Sequence, residues 1–260
     1  MMVFRILFDN LLDDFLNAVK SSPIDQLEKI KKVEVPADYF QFYKSVSSVY
    51  SSKIEGEEID FDSFFKHRFL HVEFQPDLTR KADDLFAAYD FIDQHSLSLE
   101  NVNKAHAILT ANLLPLSQQG GYRNNPMYVI NSADRIEYIA ADAAMVEEEL
   151  EKLFHDVNLL LNTQLSIHEV FYYASLLHLV FVKIHPYQDG NGRTARLLEK
   201  WFLIEKIGKE ASAIQSEKNY FIHLEDYYKN IKKLGLEYDQ LNYNAGLDFL
   251  LMTIHWLDQQ

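Results

Sequence analysis

The decisive stretch is His185-Pro186-Tyr187-Gln188-Asp189-Gly190-Asn191-Gly192-Arg193-Thr194-Ala195-Arg196. Upstream, Ile167, Val170, Phe171, Ala174, Leu177 and Phe181 recur at three- and four-residue spacing, the pattern of a buried helix. Downstream, Leu197, Leu198, Trp201, Phe202 and Ile204 repeat it. A polar break lies between them. Pro186 biases His185 away from helical geometry and should end the first helix. Gly190 and Gly192 free the backbone just before the second helix starts. A helix opened by glycine presents unpaired N–H groups and the positive end of its dipole, which together make an anion site. Arg193 and Arg196 lie about one turn apart on one face and offer guanidinium forks to phosphate oxygens. Asp189 adds a hard oxygen ligand of the kind magnesium uses beside phosphates. His185 is the one nearby side chain that takes a proton near neutral pH. A base, a metal ligand, an anion cradle and two arginines within this stretch point to phosphate chemistry.

The stretch resembles the signature of Fic-domain proteins, HxFx[D/E]GNGRxxR, and departs from it only where Tyr187 replaces phenylalanine. That aromatic packs inward, so tyrosine serves if its hydroxyl finds a partner. The resemblance implies an all-α fold, a Fic-type helical bundle with one β-hairpin flap. It implies transfer of AMP from ATP to a Tyr, Thr or Ser hydroxyl of a target protein, with self-modification open as well. His185 would be the general base and Asp189 the Mg2+ ligand. Gly190, Asn191, Gly192 and Arg193 would hold phosphates, and Arg196 the γ-phosphate. A helix C-terminus favours protonated histidine, which opposes a base role, while burial and nearby cations oppose protonation.

A second short pattern matters through this resemblance. Ser51-Ser52-Lys53-Ile54-Glu55-Gly56 ends a helix expected from Ala37, with Phe40, Phe42, Tyr43, Val46, Val49, Tyr50 and Ile54 at helical spacing. Glu55 in a last turn opposes the helix dipole by about 0.3–1 kcal/mol when exposed, so it either faces water or has found a cation. In the family, [S/T]xxxE[G/N] marks an inhibitory helix whose glutamate pairs with the second signature arginine. Carried over, Ser51, Glu55 and Gly56 form that motif, and Glu55 would hold Arg196 away from the nucleotide. The plain alternative is a frayed helix end with an acidic patch of Glu55, Glu57 and Glu58.

Composition bounds the remaining classes. The 260 residues are 48% hydrophobic and 13% aromatic, enough for a sizeable core, and they include no cysteine, which excludes disulfides and thiolate metal sites. A net charge of −14 argues against a nucleic-acid surface. No apolar run looks uninterrupted enough for a membrane span, since His178 and Lys183 break the longest. Met-Met-Val-Phe-Arg and the early Asp9, Asp13 and Asp14 are unlike a signal peptide. A cytoplasmic location is the expectation.

In chain order, helices are expected over 3–20 and from a Ser22 cap to about Val33, with a break at Val35-Pro36. Further helices are expected within 60–75, over Leu78–Gln94 and over Leu99–Leu114. Gln118 to Pro126 is turn-rich, and Met127–Ile130 and Ile136–Ile139 read as short strands about an Asp134-Arg135 turn. Through the resemblance this hairpin is the flap that docks an extended target segment, an edge-pairing mode of recognition. A helix follows over Ala143–Leu161, and Ser166 with Glu169 forms a capping box for the next. After the signature helix, Ser216 should cap a helical stretch carrying Tyr220, Tyr227 and Tyr228, and a final helix should run from about Asp239 to Leu257. The domain plan is a single unit over 1–260. It has N-terminal helices over 1–95 with the inhibitory helix at about 37–56. A core follows over 96–235 with the flap at about 118–140, and then a C-terminal helix over 236–260.

Several other readings stand beside this one. His106 and His178 read as core histidines, because two histidines at helical spacing without a third ligand seldom make a zinc site. Gly190-Asn-Gly-Arg-Thr-Ala195 also satisfies the dinucleotide pattern GxGxxA, but that pattern needs a preceding strand and a βαβ unit, and the flanks here are helical. Within the same family resemblance, transfer of another nucleotide or phosphate moiety and removal of AMP from a modified target stay open. So does a non-enzymatic nucleotide-binding interaction module.

Overall fold

The computed structural model describes residues 2–19, 23–30, 38–72, 76–130 and 134–255. Helices α1 (Leu12–Ala18), α2 (Pro23–Ile30), α3 (Tyr39–Ile54), α4 (Phe61–Leu70), α5 (Pro76–Ile92) and α6 (Leu99–Leu109) precede a hairpin of β1 (Tyr128–Ile130) and β2 (Ile136–Ile139). Then come α7 (Val146–Leu161), α8 (Ile167–Ile184), α9 (Asn191–Ile207), α10 (Ser216–Ile222), α11 (Leu224–Lys232), α12 (Leu247–Leu250) and α13 (Met252–His255). The fold is mostly helical with a single two-stranded antiparallel sheet among the described residues. The helical expectation with one hairpin therefore holds.

The antiparallel pair α8 and α9 forms the centre, and the signature lies in the loop and first turn that join them. Their facing residues Phe171, Leu177, Phe181, Leu198, Trp201 and Phe202 are buried. Each such side chain contributes about 1.5–3 kcal/mol on burial. The expected capping box opens α8: the Glu169 N–H donates to Ser166 Oγ, and the Ser166 N–H to Glu169 Oε2 at 2.7 Å. Length and composition alone would let α8 cross a membrane, contrary to the sequence expectation, but 78% of it is buried inside the fold, as a core helix is. Asp38 starts α3 by accepting from the N–H groups of Phe40 and Gln41. That helix packs between α5 and α10 and aims its C-terminal end at the start of α9. The hairpin pairs Val129 with Tyr138, and the Ile139 N–H donates to Leu236 O at 2.8 Å, leaving β1 as the outer strand.

Four expectations need correction. The helix expected over 3–20 exists only as Leu12–Ala18. The N–H groups of Arg5, Ile6 and Leu7 converge instead on the buried Asp156 carboxylate at 2.9–3.0 Å, which holds the backbone open. Helix α6 stops at Leu109, where the Thr110 hydroxyl donates back to His106 O at 2.6 Å. Ser216 is the first residue of α10 rather than its cap, Gln215 takes that place, and His223 separates α10 from α11. The final helix is broken into turns and the short α12 and α13, because the Asn242 N–H donates to Leu234 O at 2.7 Å and its side chain accepts from Asn244 N–H. Ser22, the Val35-Pro36 break and Leu257 lie outside the described residues.

Replacing Asp156 by Ala strands three backbone donors at once. Loss of roughly 1–3 kcal/mol is expected from unsatisfied, partly buried groups. Urea denaturation of Asp156→Ala beside the parent checks it, and an unchanged midpoint would count against the role given to this carboxylate.

Candidate active site

The loop between α8 and α9 is built on two left-handed residues. His185 ends α8 at φ 55°, ψ 60°, and Gly190 precedes α9 at φ 78°. A Cβ on Gly190 would lie 2.8 Å from Thr110 Cγ2, so both the dihedral and the space require glycine. Non-glycine residues enter this region only when the surroundings hold them. At His185 the holder is Arg123, whose Nε–H donates to His185 O at 2.7 Å while its backbone N–H donates to Pro186 O at 2.9 Å. The same guanidinium also donates to the carbonyls of Asn125, Ala141 and Ile184. In the sequence Gly121-Tyr122-Arg123 is only a part of the turn-rich stretch from Gln118 to Pro126. Nothing there announced that Arg123 staples the loop between α8 and α9.

A second layer of support was also hidden. Tyr187 is fully buried, and its hydroxyl donates to Asn103 Oδ1 at 2.6 Å, which supplies the partner that a tyrosine needs at this position. The ring stacks on His106 with centroids 3.6 Å apart. His106 Nδ1 accepts the Gly120 N–H, so its Nε2–H donates to Asp189 O at 2.9 Å. Burial drives the His106 pKa down to about 4, and the ring stays neutral. His106 is thus a core histidine, as expected, but one that shapes the loop. Asn191 closes the loop from inside, accepting from Tyr187 N–H at 2.9 Å and donating to Tyr187 O at 2.8 Å. Its side chain is committed to the backbone, and only its own N–H remains for an anion.

His185 faces a cleft of about 570 Å³ lined also by Glu55, Gly192, Arg196, Tyr138 and Tyr228. Its Nδ1–H donates to Val182 O at 3.2 Å, which leaves Nε2 as the lone-pair nitrogen. Burial, with Arg123 adding to it, pushes the imidazole down to about 4 against the pull of the helix-end carbonyl. The competition left open by the sequence therefore resolves toward a neutral imidazole.

Glu55 reaches the same place from α3. Its Oε1 accepts Arg196 Nη2–H at 2.6 Å, and it would lie only 2.6 Å from a Cβ on Gly192. The carboxylate thus sits over the first turn of α9, where an anion would be welcomed. Burial would raise the Glu55 carboxyl, but the Arg196 and Arg193 charges and the Arg196 hydrogen bond outweigh it and hold it below the usual range. The expected alternative of a solvated acidic patch fails for Glu55, which has found its cation. Ser51 joins the contact: its Oγ accepts Arg196 Nε–H at 2.8 Å and its carbonyl accepts Nη2–H at 3.1 Å. Gly56, at φ 85°, turns the chain away directly after. Glu57 then bridges Arg193 Nη2 at 3.3 Å and Lys81 Nζ at 2.6 Å. The Arg193 Nε is buried with no protein partner.

Asp189 is exposed, with Oδ1 accepting Gly190 N–H at 2.6 Å. Among the described residues no three His, Asp or Glu side chains gather as a metal cage. One exposed carboxylate nonetheless fits magnesium, which keeps several waters and takes the rest of its ligands from substrate phosphates.

Comparison with known proteins finds similarity over the same part of the chain. The Fic/DOC family model matches residues 96–203. A protein adenylyltransferase Fic of Nematostella vectensis is 33% identical over 104 residues, covering 40% of this chain and 22% of that protein. That of Drosophila melanogaster is 30% identical over 113 residues, 44% of this chain and 21% of that protein. The chain thus spans about a fifth of the length of these relatives. Among solved structures, a Fic family protein from Desulfovibrio desulfuricans superposes with a TM-score of 0.75 at 17% identity, over 99% of this chain and 75% of that one. A Fic domain containing signaling protein from Bacteroides thetaiotaomicron gives 0.66 at 19% identity, over 91% and 92%. At these identities the superpositions speak for the fold alone.

The electrostatics give a signed expectation. His185 binds its proton only near pH 4 when folded but near 6.5 when unfolded. Between those values the unfolded chain holds more protons, so stability falls as pH drops through that window. The depressed Glu55 contributes in the same direction, its stabilisation being lost as pH falls through its folded pKa. Thermal melts from pH 7 to pH 4 should show a falling midpoint, and the His185 resonance should titrate near 4; titration near 6.5 would overturn the neutral-base assignment.

Proposed function

We propose that this chain, whose residues 96–203 match the Fic/DOC family model, transfers AMP from ATP to a hydroxyl side chain of a target protein. The observation that carries the reading is the convergence, in one cleft, of the neutral His185 with Arg196 and the glycine-opened start of α9. In the proposed reaction the target oxygen attacks the α-phosphorus and forms the new O–P bond. The bond from that phosphorus to the bridging oxygen breaks, pyrophosphate leaves, and the hydroxyl proton passes to His185 Nε2. Gly190, whose own N–H is held by Asp189 Oδ1, supplies the left-handed turn of the cradle; Asn191 and Gly192 offer backbone N–H groups to phosphate oxygens, and Arg193 and Arg196 neutralise charge. Asp189 would hold Mg2+, which would supply charge neutralisation on the phosphates. Positioning and electrostatics carry most of the catalysis in phosphoryl-type transfer, so a displaced γ-phosphate is enough to silence it.

The Glu55–Arg196 pair supports autoinhibition in this scheme. The carboxylate occupies both the arginine assigned to the γ-phosphate and the space above Gly192. ATP and Glu55 then compete for the same guanidinium. Arg196 is buried while the Glu55 side chain stays 29% exposed, so the carboxylate is the member free to withdraw. The exposed Tyr128, Ile130 and Ile136 of the hairpin, with β1 as outer strand, suit docking of an extended target segment beside the cleft.

Glu55→Gly should raise labelling of protein from α-labelled ATP well above the parent, with γ-labelled ATP giving none. Adding His185→Ala should reduce that labelling about 10²–10⁴-fold, the usual contribution of a general base. Equal labelling of parent and Glu55→Gly would remove the inhibitory role. Label from the γ-position instead would assign phosphate transfer.

A further inference from the structure

The hydrogen bonds of Arg196 divide unevenly between two elements. Three go to α3, at Ser51 Oγ, Ser51 O and Glu55 Oε1, and so belong to the contact that must open. The fourth runs the other way, from Nη1 to the Tyr227 hydroxyl on α11 at 3.3 Å. That hydroxyl is not free to turn. It lies 3.0 Å from His178 Nε2, and His178 Nδ1 lies 2.7 Å from Glu199 Oε2. Glu199 in turn accepts from the Tyr220 hydroxyl at 2.7 Å and from Thr253 Oγ1 at 3.4 Å. Tyr227 and Arg196 are each 1% exposed, and His178 and Glu199 not at all.

The direction of the chain follows from the groups. A carboxylate only accepts, so His178 carries its proton on Nδ1 and presents a lone pair at Nε2. Burial, working against the hydrogen bond that Nδ1–H donates to Glu199, lowers the His178 pKa and agrees with the neutral ring. Nε2 accepts the Tyr227 O–H, and burial raises the phenol pKa, so that proton stays. The lone pairs of the Tyr227 oxygen are thereby turned toward Arg196, which only donates. Every link is used once and points the same way.

We propose that the Glu199–His178–Tyr227 relay is the standing anchor of Arg196. It keeps the guanidinium aimed at the phosphate cradle after the α3 end withdraws, which makes Tyr227 a positioning residue for a nucleoside triphosphate and no part of the latch. The ligand named here rests on the AMP-transfer reading, whereas the anchor itself does not. Such a device answers a physical need. A guanidinium that loses three bonds at once would otherwise adopt many rotamers and lose the pre-organisation that makes arginine useful to phosphates.

The test begins from Ser51→Ala/Glu55→Gly, which removes the α3 side-chain contacts, and adds Tyr227→Phe, which removes only a hydroxyl. In crystal structures without nucleotide, Arg196 should keep its place in the first protein and leave it, or split among rotamers, in the second. By calorimetry, Tyr227→Phe should weaken ATP about tenfold, the scale of one hydrogen bond to a charged group, and change ADP less than twofold. Glu199→Gln in the same background breaks the direction of the relay at constant volume and should shift the ATP-to-ADP ratio likewise, should the phenylalanine variant not fold. An Arg196 that stays put in these variants, or ATP and ADP weakened together, overturns the anchor. Failure of the Ser51→Ala/Glu55→Gly protein to bind ATP would instead sink the nucleotide reading, with the position of Arg196 still deciding the relay.

Discussion

Arg196 is 1% exposed in the middle of a helical core, and a guanidinium does not give up its proton to get there. A buried charge must be paired and hydrogen-bonded, or it costs more than the fold can supply. Much of the arrangement around it follows from that demand. The end of α3 is drawn against α9 because Ser51 and Glu55 offer acceptors there. Tyr227 fixes α11 on the other side, backed by His178 and Glu199. The N-terminal part of the chain and the signature helix are thus joined through one side chain. Whatever separates Glu55 from Arg196 must leave that charge with another anion, and a polyphosphate is an anion of the right kind.

The His185 imidazole depends on a different constraint, the left-handed turn at the end of α8. That turn directs the His185 ring into the cleft and lets its Nδ1–H bond Val182 O, which selects the tautomer. Arg123, reaching over from the segment before the hairpin, takes up carbonyls that the turn leaves over. His106 and Tyr187 stack beneath the loop, and His106 fixes Asp189 and Gly120 by single hydrogen bonds. The loop is consequently rigid without being strand or helix. Neutral base, free helix start and paired arginines are consequences of burial acting on polar groups whose hydrogen bonds are already assigned.

Much of this was legible in the sequence because it depends on local rules. Helical spacing in 167–184 and 191–207, the capping box at Ser166 and the glycines of the loop each act within a turn or two of chain. Glu55 declared itself by sitting at the wrong end of a helix dipole. Two of the misreadings share one cause. At residues 5–7 a distant carboxylate, Asp156, outbid the local helical pattern, and near residue 242 a backbone bond to Leu234 did the same.

By itself, then, the sequence determined a helical chain with one hairpin and a phosphate-type loop bearing a base, a carboxylate and two arginines. It also marked a carboxylate in need of a cation. Only the tertiary structure decided which cation that was, that His185 is neutral, and that Arg123, Asn103, His106 and Tyr227 belong to the site. The reason is physical. Propensity and periodicity are properties of neighbours in the chain, whereas pKa, tautomer and ion pairing are set by dielectric and by partners distant in sequence, as between Ser51 and Arg196, 145 residues apart.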